Sequence, residues 1–125
     1  MQKEFLSRLC ESNHDAVIVG SLGTISNDLA EIPHHKKILV KGAMGCAIGV
    51  GIGYAMHSDK KVIVVIGDGS FLMKLGSIST FLRQGLENLK IIVINNNSYK
   101  SCGGQGTNFK FLPHLDIPNL EVHEI

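Results

Sequence analysis

The stretch VIVVIGDGS at residues 62–70 decides the fold of this chain. Its five consecutive β-branched residues predict a buried strand, and such an unbroken apolar run is typical of a parallel sheet with both faces covered. Similar runs occur at residues 16–19 and 91–94, with a shorter one at residues 38–40. The glycines on either side of Asp68 permit a tight turn where the strand ends. We therefore expect a parallel sheet with a ligand site at the carboxyl ends of its strands.

Segments of helical periodicity alternate with these strands. The first places Phe5, Leu6 and Leu9 on one face, and the last is expected to stop at Gly85. The predicted helices cover residues 2–11, a short stretch from a cap at Ser26 or Asn27 through Glu31, residues 44–57 and residues 71–84. After Tyr99, glycines and prolines such as Pro113 predict a loop. The alternation indicates an α/β fold, a three-layer α/β/α arrangement with a mainly parallel sheet, in a single domain at residues 1–125.

The composition excludes several classes of protein. A hydrophobic content of 44% indicates a folded chain, and a net charge of +1 gives no reason to expect a nucleic acid or membrane partner. The longest apolar stretch is too short to span a bilayer, and the first residues lack a signal-peptide core. The cysteines, Cys10, Cys46 and Cys102, have neither zinc nor disulfide spacing. We therefore expect a cytoplasmic protein.

Asp68 and the Asn95-Asn96 pair indicate a metal site. Asp68 follows one strand and the asparagines end the next, so their side chains meet if the two strands are neighbours. A carboxylate and a neutral amide are hard oxygen ligands, and Mg²⁺ bound by them is commonly shared with phosphate groups. Ser70, which follows directly, offers a hydroxyl and a backbone N–H to such a phosphate. The simpler alternatives are an aspartate that caps a helix and an asparagine-rich turn.

A glycine repeat marks the helix predicted at residues 44–57. Gly45, Gly49 and Gly53 recur every four residues, so one helix face carries almost no side chains. Because each helical glycine costs about 1 kcal/mol relative to alanine, this face is expected to approach a neighbour closely. Met44, directly before the repeat, is either an ordinary core residue or a cofactor contact.

Three segments carry a resemblance to a known family: GAMGCAIGVGIGYAM, KVIVVIGDGSFLMKLGSISTF and NLKIIVINNNSYKSCGGQ. They resemble thiamine-diphosphate-dependent 2-oxo acid decarboxylases, most closely the diphosphate-binding (PP) domain of sulfopyruvate and phosphonopyruvate decarboxylases. In some sulfopyruvate decarboxylases this domain is a separate β chain. The resemblance covers residues 16–107 and includes the GDG…NN fingerprint of the cofactor. It implies a thiamine-diphosphate-binding fold of the PP type, with thiamine diphosphate and Mg²⁺ as cofactors and a C-terminus shorter than the family pattern.

The resemblance also implies roles for individual residues. Mg²⁺ would be bound by Asp68, Asn96 and the carbonyl of Ser98. The Gly42 carbonyl would accept a hydrogen bond from the pyrimidine 4′-amino group, and Met44 would be the apolar wedge that bends the cofactor. The contacts at the diphosphate and metal end of the cofactor would come from Thr24, Gly69, Ser70 and Asn96.

The sequence departs from the family pattern at three places. Cys46 stands where a histidine usually follows the GSMG-type motif, so any role of that histidine is in doubt. Asn97 replaces the usual glycine after the asparagine pair. Cys102 replaces the threonine of STGGQ, and we interpret it as a substitute for that residue and not as a nucleophile.

The resemblance implies a partner chain. In this family a glutamate that binds the pyrimidine N1′ comes from a separate pyrimidine-binding domain, and no second α/β domain fits in 125 residues. We therefore assign no catalytic residue to this chain and expect a hetero-oligomer with a pyrimidine-domain (α) subunit. The expected function is that of a thiamine-diphosphate-dependent lyase subunit, active on a small 2-oxo acid only with that partner.

Three alternatives remain open. The NN…Y…GGQ stretch is also similar to the β chain of 2-oxoacid:ferredoxin oxidoreductases, although the cysteines lack iron–sulfur cluster spacing. A carboligase related to acetolactate synthase would use the same cofactor. A non-catalytic module that holds a partner is the third, but the intact Asp68 and Asn96 argue against it. A nicotinamide-binding domain is less favoured because G-x-G-x-x-G is absent.

Overall fold

The computed structural model describes residues 1–111 and 116–125, so Pro113 lies outside the described residues. Helices and strands alternate along most of the chain. The helices are α1 (Gln2–Ser12), α2 (Thr24–Glu31), α3 (Ala47–Met56), α4 (Asp68–Met73) and α5 (Ser77–Gln84). The strands are β1 (Val17–Gly20), β2 (Lys37–Leu39), β3 (Val62–Gly67), β4 (Leu89–Asn95) and β5 (Leu120–Glu124). Two short 3₁₀ turns lie at Lys100–Cys102 and Phe109–Phe111.

The five strands form one sheet in the order β2-β1-β3-β4-β5, and every neighbouring pair is parallel. This is a doubly wound order, in which the chain reverses its direction of travel across the sheet between β1 and β3. The strands β3 and β4 are neighbours, with Gly67 opposite Ile94. Asp68 and Asn96 directly follow these two strands. Both residues therefore lie at the carboxyl end of the sheet, as the sequence predicted.

Helices cover both faces of the sheet. On one face α1 and α2 pack through Leu6 and Leu29 onto the side chains of β1, β3 and β4 that lie on this face. On the other face α3, α4 and α5 pack through Ile48, Phe71 and Phe81. Each fully buried side chain of this size contributes about 1.5–3 kcal/mol relative to exposure. The predicted three-layer α/β/α class with a mainly parallel sheet is confirmed.

Several element boundaries differ from the predicted ones. The helix α2 begins at Thr24, because the predicted cap Ser26 donates its hydroxyl hydrogen bond back to the Ser21 carbonyl at 2.5 Å. The helix α3 begins at Ala47 and not at residue 44, because Gly45 has φ +85°, outside the helical region. The predicted helix at 71–84 is two helices that are separated at residues 74–76. Its expected stop at Gly85 is confirmed by a left-handed φ of 55°.

A fifth strand follows the segment predicted to be a loop. In β5, His123 pairs with Ile94 and Glu124 with Asn95 of β4. Its sequence, LEVHE, lies at the sheet edge and is largely exposed, so it lacks the continuous apolar run by which the other strands were recognised. The loop prediction was wrong for residues 120–124.

The prediction of a closely packed glycine face on α3 was wrong for Gly49 and Gly53. Both are exposed, and a Cβ added at either would meet no atom within 4 Å. The close approach occurs midway between these two glycines, at Gly51, where an added Cβ would overlap Val64 Cγ2 and lie 3.4 Å from Leu89 Cδ1. Gly51 is therefore the glycine that lets α3 lie against β3.

Alanine substitutions should have opposite effects at these positions. Gly51→Ala is expected to lower the free energy of unfolding by about 1–3 kcal/mol, because Val64 in the central strand has little room to move. Gly49→Ala and Gly53→Ala are expected to raise it by up to about 1 kcal/mol each through helix propensity. Urea denaturation of the three variants measures the difference, and equal effects at the three positions would contradict this packing.

Within residues 1–111 and 116–125, no helix has the length and apolar character that crossing a bilayer requires.

Candidate functional site

A cavity of about 60 Å³ opens where the carboxyl ends of β1, β3 and β4 meet. This is the topological switch point of the sheet, where doubly wound proteins bind their ligands. The cavity is several times smaller than a typical small-molecule site of about 300–1,000 Å³. Its lining includes seven of the eight residues predicted from the sequence, which are Thr24, Met44, Asp68, Gly69, Ser70, Asn96 and Ser98.

Asp68 is the buried carboxylate of this cavity, with only 1% of its surface exposed. One carboxylate oxygen, Oδ2, accepts a hydrogen bond from the Thr107 hydroxyl at 2.5 Å. The other, Oδ1, accepts a longer one from the Asn96 backbone N–H at 3.3 Å. The cap of α4 is Gly67, without a side-chain hydrogen bond, so Asp68 does not act as the helix cap that the simpler alternative supposed.

The loop after β4 is held by its own asparagines. The buried Asn95 accepts from the Asn97 N–H at 3.0 Å and donates to Glu124 of β5 at 2.8 Å. Asn96 accepts from the Ser98 N–H at 3.0 Å through its side-chain oxygen. This loop is thus an asparagine-rich turn, and its residues Asn96 and Ser98 also line the cavity.

Gly69 and Ser70 form the floor of the cavity at the start of α4. A Cβ added to Gly69 would lie 2.7 Å from Tyr99 Cδ1 and 3.6 Å from Met44 Cε. The Tyr99 ring and the end of the Met44 side chain therefore occupy the space that a side chain at position 69 would need. Met44 is half-buried and contacts this floor from the opposite loop, so it is not an ordinary core residue.

The GAMG loop reaches the cavity through Gly45. A Cβ added to Gly45 would lie 2.9 Å from the Ser70 carbonyl oxygen and would also overlap Lys74. This close approach places Met44 in the cavity wall. Gly42 is exposed and has a φ of +81°, and a Cβ added to it would meet no atom within 4 Å. It is the one predicted residue outside the cavity lining.

Thr24 lies at the mouth of the cavity at the first residue of α2. Its Oγ1 accepts a hydrogen bond from Gln2 Nε2 at 3.1 Å, and the same amide nitrogen donates to Asp28 Oδ2 at 2.9 Å. The Thr24 hydroxyl therefore keeps its own proton available for an acceptor in the cavity.

Sequence reasoning assigned no role to four residues with polar side chains that line or support this cavity. Gln2, Tyr99 and Lys100 line it, and Thr107 donates a hydrogen bond to Asp68 from outside the lining. Among the described residues of the lining, Lys100 and Asp68 are the two that carry charge. Tyr99 and Lys100 lie in the NLKIIVINNNSYKSCGGQ segment that carries the resemblance, whereas Gln2 and Thr107 lie outside all three quoted segments.

The fold and this site together define a doubly wound α/β domain that presents carboxylate, amide and hydroxyl oxygens at its switch point. The sequence profile described as "Thiamine pyrophosphate enzyme, C-terminal TPP binding domain" matches residues 19–119. Since the match covers well over half of the 125 residues, the chain belongs to this family of thiamine pyrophosphate (thiamine diphosphate) enzymes. The resemblance recognised from the sequence is confirmed.

The relatives of this chain include decarboxylases named for two different substrates. The chain is 40% identical over 100 residues to a phosphonopyruvate decarboxylase of Streptomyces viridochromogenes, covering 79% of this chain and 25% of that protein. It is 38% identical over 92 residues to the sulfopyruvate decarboxylase subunit beta of Methanocaldococcus jannaschii, covering 73% of this chain and 49% of that subunit. The chain thus spans between a quarter and about half of the length of these two relatives.

A solved structure has a similar fold. It is a 2-oxoglutarate:ferredoxin oxidoreductase from Magnetococcus marinus, which matches with a TM-score of 0.66 over 84% of this chain and 36% of that one. At 20% sequence identity the similarity establishes the fold alone. It agrees with the α/β class and the parallel sheet described above.

Proposed function

We propose that this chain supplies the thiamine-diphosphate- and Mg²⁺-binding part of a 2-oxo acid decarboxylase. The observation that carries the proposal is the buried Asp68 at the switch point of the sheet. Its Oδ1 lies 3.3 Å from the backbone nitrogen of Asn96. Burying an ionised carboxylate is costly unless it is paired, hydrogen-bonded or bound to a metal. Family membership and the decarboxylase relatives support the same function.

The available donors fit Mg²⁺ when a diphosphate completes its coordination. Mg²⁺ takes oxygen ligands in an octahedron and is usually bound by one or two carboxylates together with phosphates. The described residues contain no cluster of three or more His, Cys, Asp or Glu side chains that could hold a metal, and Asp68 is the one carboxylate among the described residues that line the cavity. We assign Asp68, Asn96 and the Ser98 carbonyl to the metal.

All but one of the residues proposed for the cofactor line the same cavity, and Gly42 lies outside its lining. Gly69 and Ser70 would offer N–H and hydroxyl donors to the diphosphate, and Thr24 would donate its free hydroxyl proton. Lys100 would contribute a positive charge near the phosphates. Met44 would support the middle of the cofactor, and the exposed Gly42 carbonyl would accept from its pyrimidine amino group.

Bound thiamine diphosphate would supply the electron sink for loss of CO₂ from a 2-oxo acid. The described residues of this chain would bind and orient the diphosphate end, and none of them is assigned a proton transfer. A small 2-oxo acid with a second acidic group, such as sulfopyruvate or phosphonopyruvate, is the proposed substrate. The names of the relatives support this substrate class.

A pyrimidine-domain partner subunit is part of the proposal. The cavity of about 60 Å³ encloses too little space for a whole cofactor, so the remaining walls would come from elsewhere. Relatives from Methanocaldococcus jannaschii and Methanothermobacter thermautotrophicus are named as beta subunits, which supports an α-type partner in a hetero-oligomer. We propose that residues 1–125 form a single PP domain in this assembly and that the protein is cytoplasmic.

Calorimetric titration with thiamine diphosphate tests the proposal. The protein is measured alone and with a pyrimidine-domain chain from the same organism, each in Mg²⁺ and in EDTA. Binding is expected only with Mg²⁺ and to be tighter in the presence of the partner. Release of CO₂ from sulfopyruvate, phosphonopyruvate and pyruvate then distinguishes the substrates, and acetolactate formed from pyruvate would indicate a carboligase. Absence of Mg²⁺-dependent binding in both preparations would refute the proposal.

A further inference from the structure

Thr107 is joined to Asp68 across 39 residues of sequence. Its side chain is 7% exposed, and its hydroxyl donates to Asp68 Oδ2 at 2.5 Å. The same hydroxyl oxygen accepts from the Phe109 N–H at 3.3 Å. Because a backbone donor approaches this oxygen, the single hydroxyl proton is directed at the carboxylate.

Thr107 is itself fixed from both sides. Its backbone N–H donates to the Asn97 carbonyl at 3.2 Å, which ties it to the loop that contains Asn96. Phe109, two residues on, packs edge-on against Phe71 of α4 with ring centroids 5.9 Å apart. Thr107 therefore connects the loop after β4 to the helix that begins at Asp68.

The two oxygens of Asp68 accept hydrogen bonds of different strength. Oδ2 is occupied by the strong hydroxyl hydrogen bond, whereas Oδ1 has only the weaker N–H contact from Asn96. A metal ion in the cavity would therefore find Oδ1 the less engaged oxygen, because the hydroxyl proton takes one lone pair of Oδ2. Mg²⁺ requires near-ideal octahedral geometry, whereas Ca²⁺ readily accepts bidentate carboxylates and higher coordination numbers.

We propose that Thr107 is a positioning residue that limits Asp68 to one metal-binding oxygen and so favours Mg²⁺ over Ca²⁺. The proposal rests on the proposed function, since it concerns the same metal site. Hydrogen-bonded partners of metal ligands typically change metal affinity by about 10–100-fold when they are removed. Loss of the hydroxyl would free Oδ2, allow bidentate binding, and shift the preference toward the larger ion.

Three variants separate this role from a structural one. Thr107→Val removes the hydroxyl at nearly constant shape, Thr107→Ser restores it, and Thr80→Val makes the same change at an exposed position on α5. Mg²⁺ and Ca²⁺ are titrated by calorimetry into each protein, in its native assembly and with thiamine diphosphate present. Thermal unfolding without ligands reports whether each variant is folded.

Thr107→Val is expected to bind Mg²⁺ about 10–100-fold more weakly. Its ratio of Ca²⁺ to Mg²⁺ affinity should rise, while Thr107→Ser and Thr80→Val resemble the unmodified protein. An unchanged ratio in Thr107→Val, or an equal loss for both ions, overturns the positioning role. If Thr107→Val does not fold, Thr107→Ser is compared with the unmodified protein. A different ratio of Ca²⁺ to Mg²⁺ affinity in Thr107→Ser then overturns the positioning role. If the unmodified protein itself binds no metal with the cofactor, the proposed function fails and not merely this inference.

Discussion

Asp68→Asn is expected to abolish Mg²⁺-dependent binding of thiamine diphosphate. The substitution keeps the shape of the side chain but removes the charge that the metal would meet at Oδ1. Loss of a hydrogen-bonded partner of a metal ligand costs about 10–100-fold in affinity, and loss of the charged ligand itself should cost more. Calorimetric titration of the variant with the cofactor, in Mg²⁺ and in EDTA, measures the effect.

The same variant should remain folded when no ligand is present. Asp68 is 99% buried, so its charge is held at a desolvation cost that its hydrogen bonds from Thr107 and Asn96 offset. Asparagine has one acceptor oxygen and one donor NH₂ group, so it can keep only one of the two hydrogen bonds, while loss of the charge removes the desolvation cost. The free energy of unfolding should therefore fall by no more than about 1–3 kcal/mol. Loss of binding in a variant that remains folded would mark Asp68 as functional.

The exposed Asp59 provides a matched control, because Asp59→Asn changes the net charge equally but lies outside the cavity lining. It is expected to leave cofactor binding unchanged. If Asp68→Asn bound the cofactor as tightly as Asp59→Asn in Mg²⁺, Asp68 would have no role as a metal ligand. If Asp68→Asn unfolded the protein, the aspartate would be chiefly structural.

The central strands could be predicted from sequence because burial on both faces makes them continuous apolar runs. The runs at residues 62–66 and 91–94 lie within β3 and β4. Asp68 contacts the loop after β4 as expected, although through the backbone N–H of Asn96 and not through its side chain. The edge strand β5 could not be recognised in this way. Among residues 1–111 and 116–125 no strand pairs with its outer side, and its faces are largely exposed. Its own hydrophobic pattern therefore does not indicate its pairing with β4.

Contacts between residues distant in sequence explain the other omissions. Thr107 contacts Asp68 only because the chain after Tyr99 folds back, with Gly104 N–H donating to the Tyr99 carbonyl at 2.9 Å. The glycine repeat on α3 was visible, but which glycine faces β3 depends on the rotation of the helix, and that rotation is fixed by Ile48 and Ile52 in the core. Spacing alone therefore pointed to Gly49 and Gly53 instead of Gly51.

The GAMG loop offers the largest expected effect on stability. Gly45→Ala should lower the free energy of unfolding by about 2–5 kcal/mol, because two costs add. A side chain at φ +85° costs about 1–2 kcal/mol, and crowding against a well-packed neighbour costs about 1–3 kcal/mol. Here the neighbour includes the Ser70 carbonyl oxygen, a backbone atom that cannot rotate away.

Gly42→Ala separates the two costs within the same loop. Gly42 has a similar φ of +81°, but an added Cβ meets no atom within 4 Å, so only the backbone cost of about 1–2 kcal/mol should appear. Urea denaturation of both variants without ligands gives the difference. A larger loss in Gly45→Ala than in Gly42→Ala would mean that contact with Ser70 holds the loop in place. Equal losses would mean that the loop is free to move away from Ser70, and Met44 would then have no fixed place in the cavity wall.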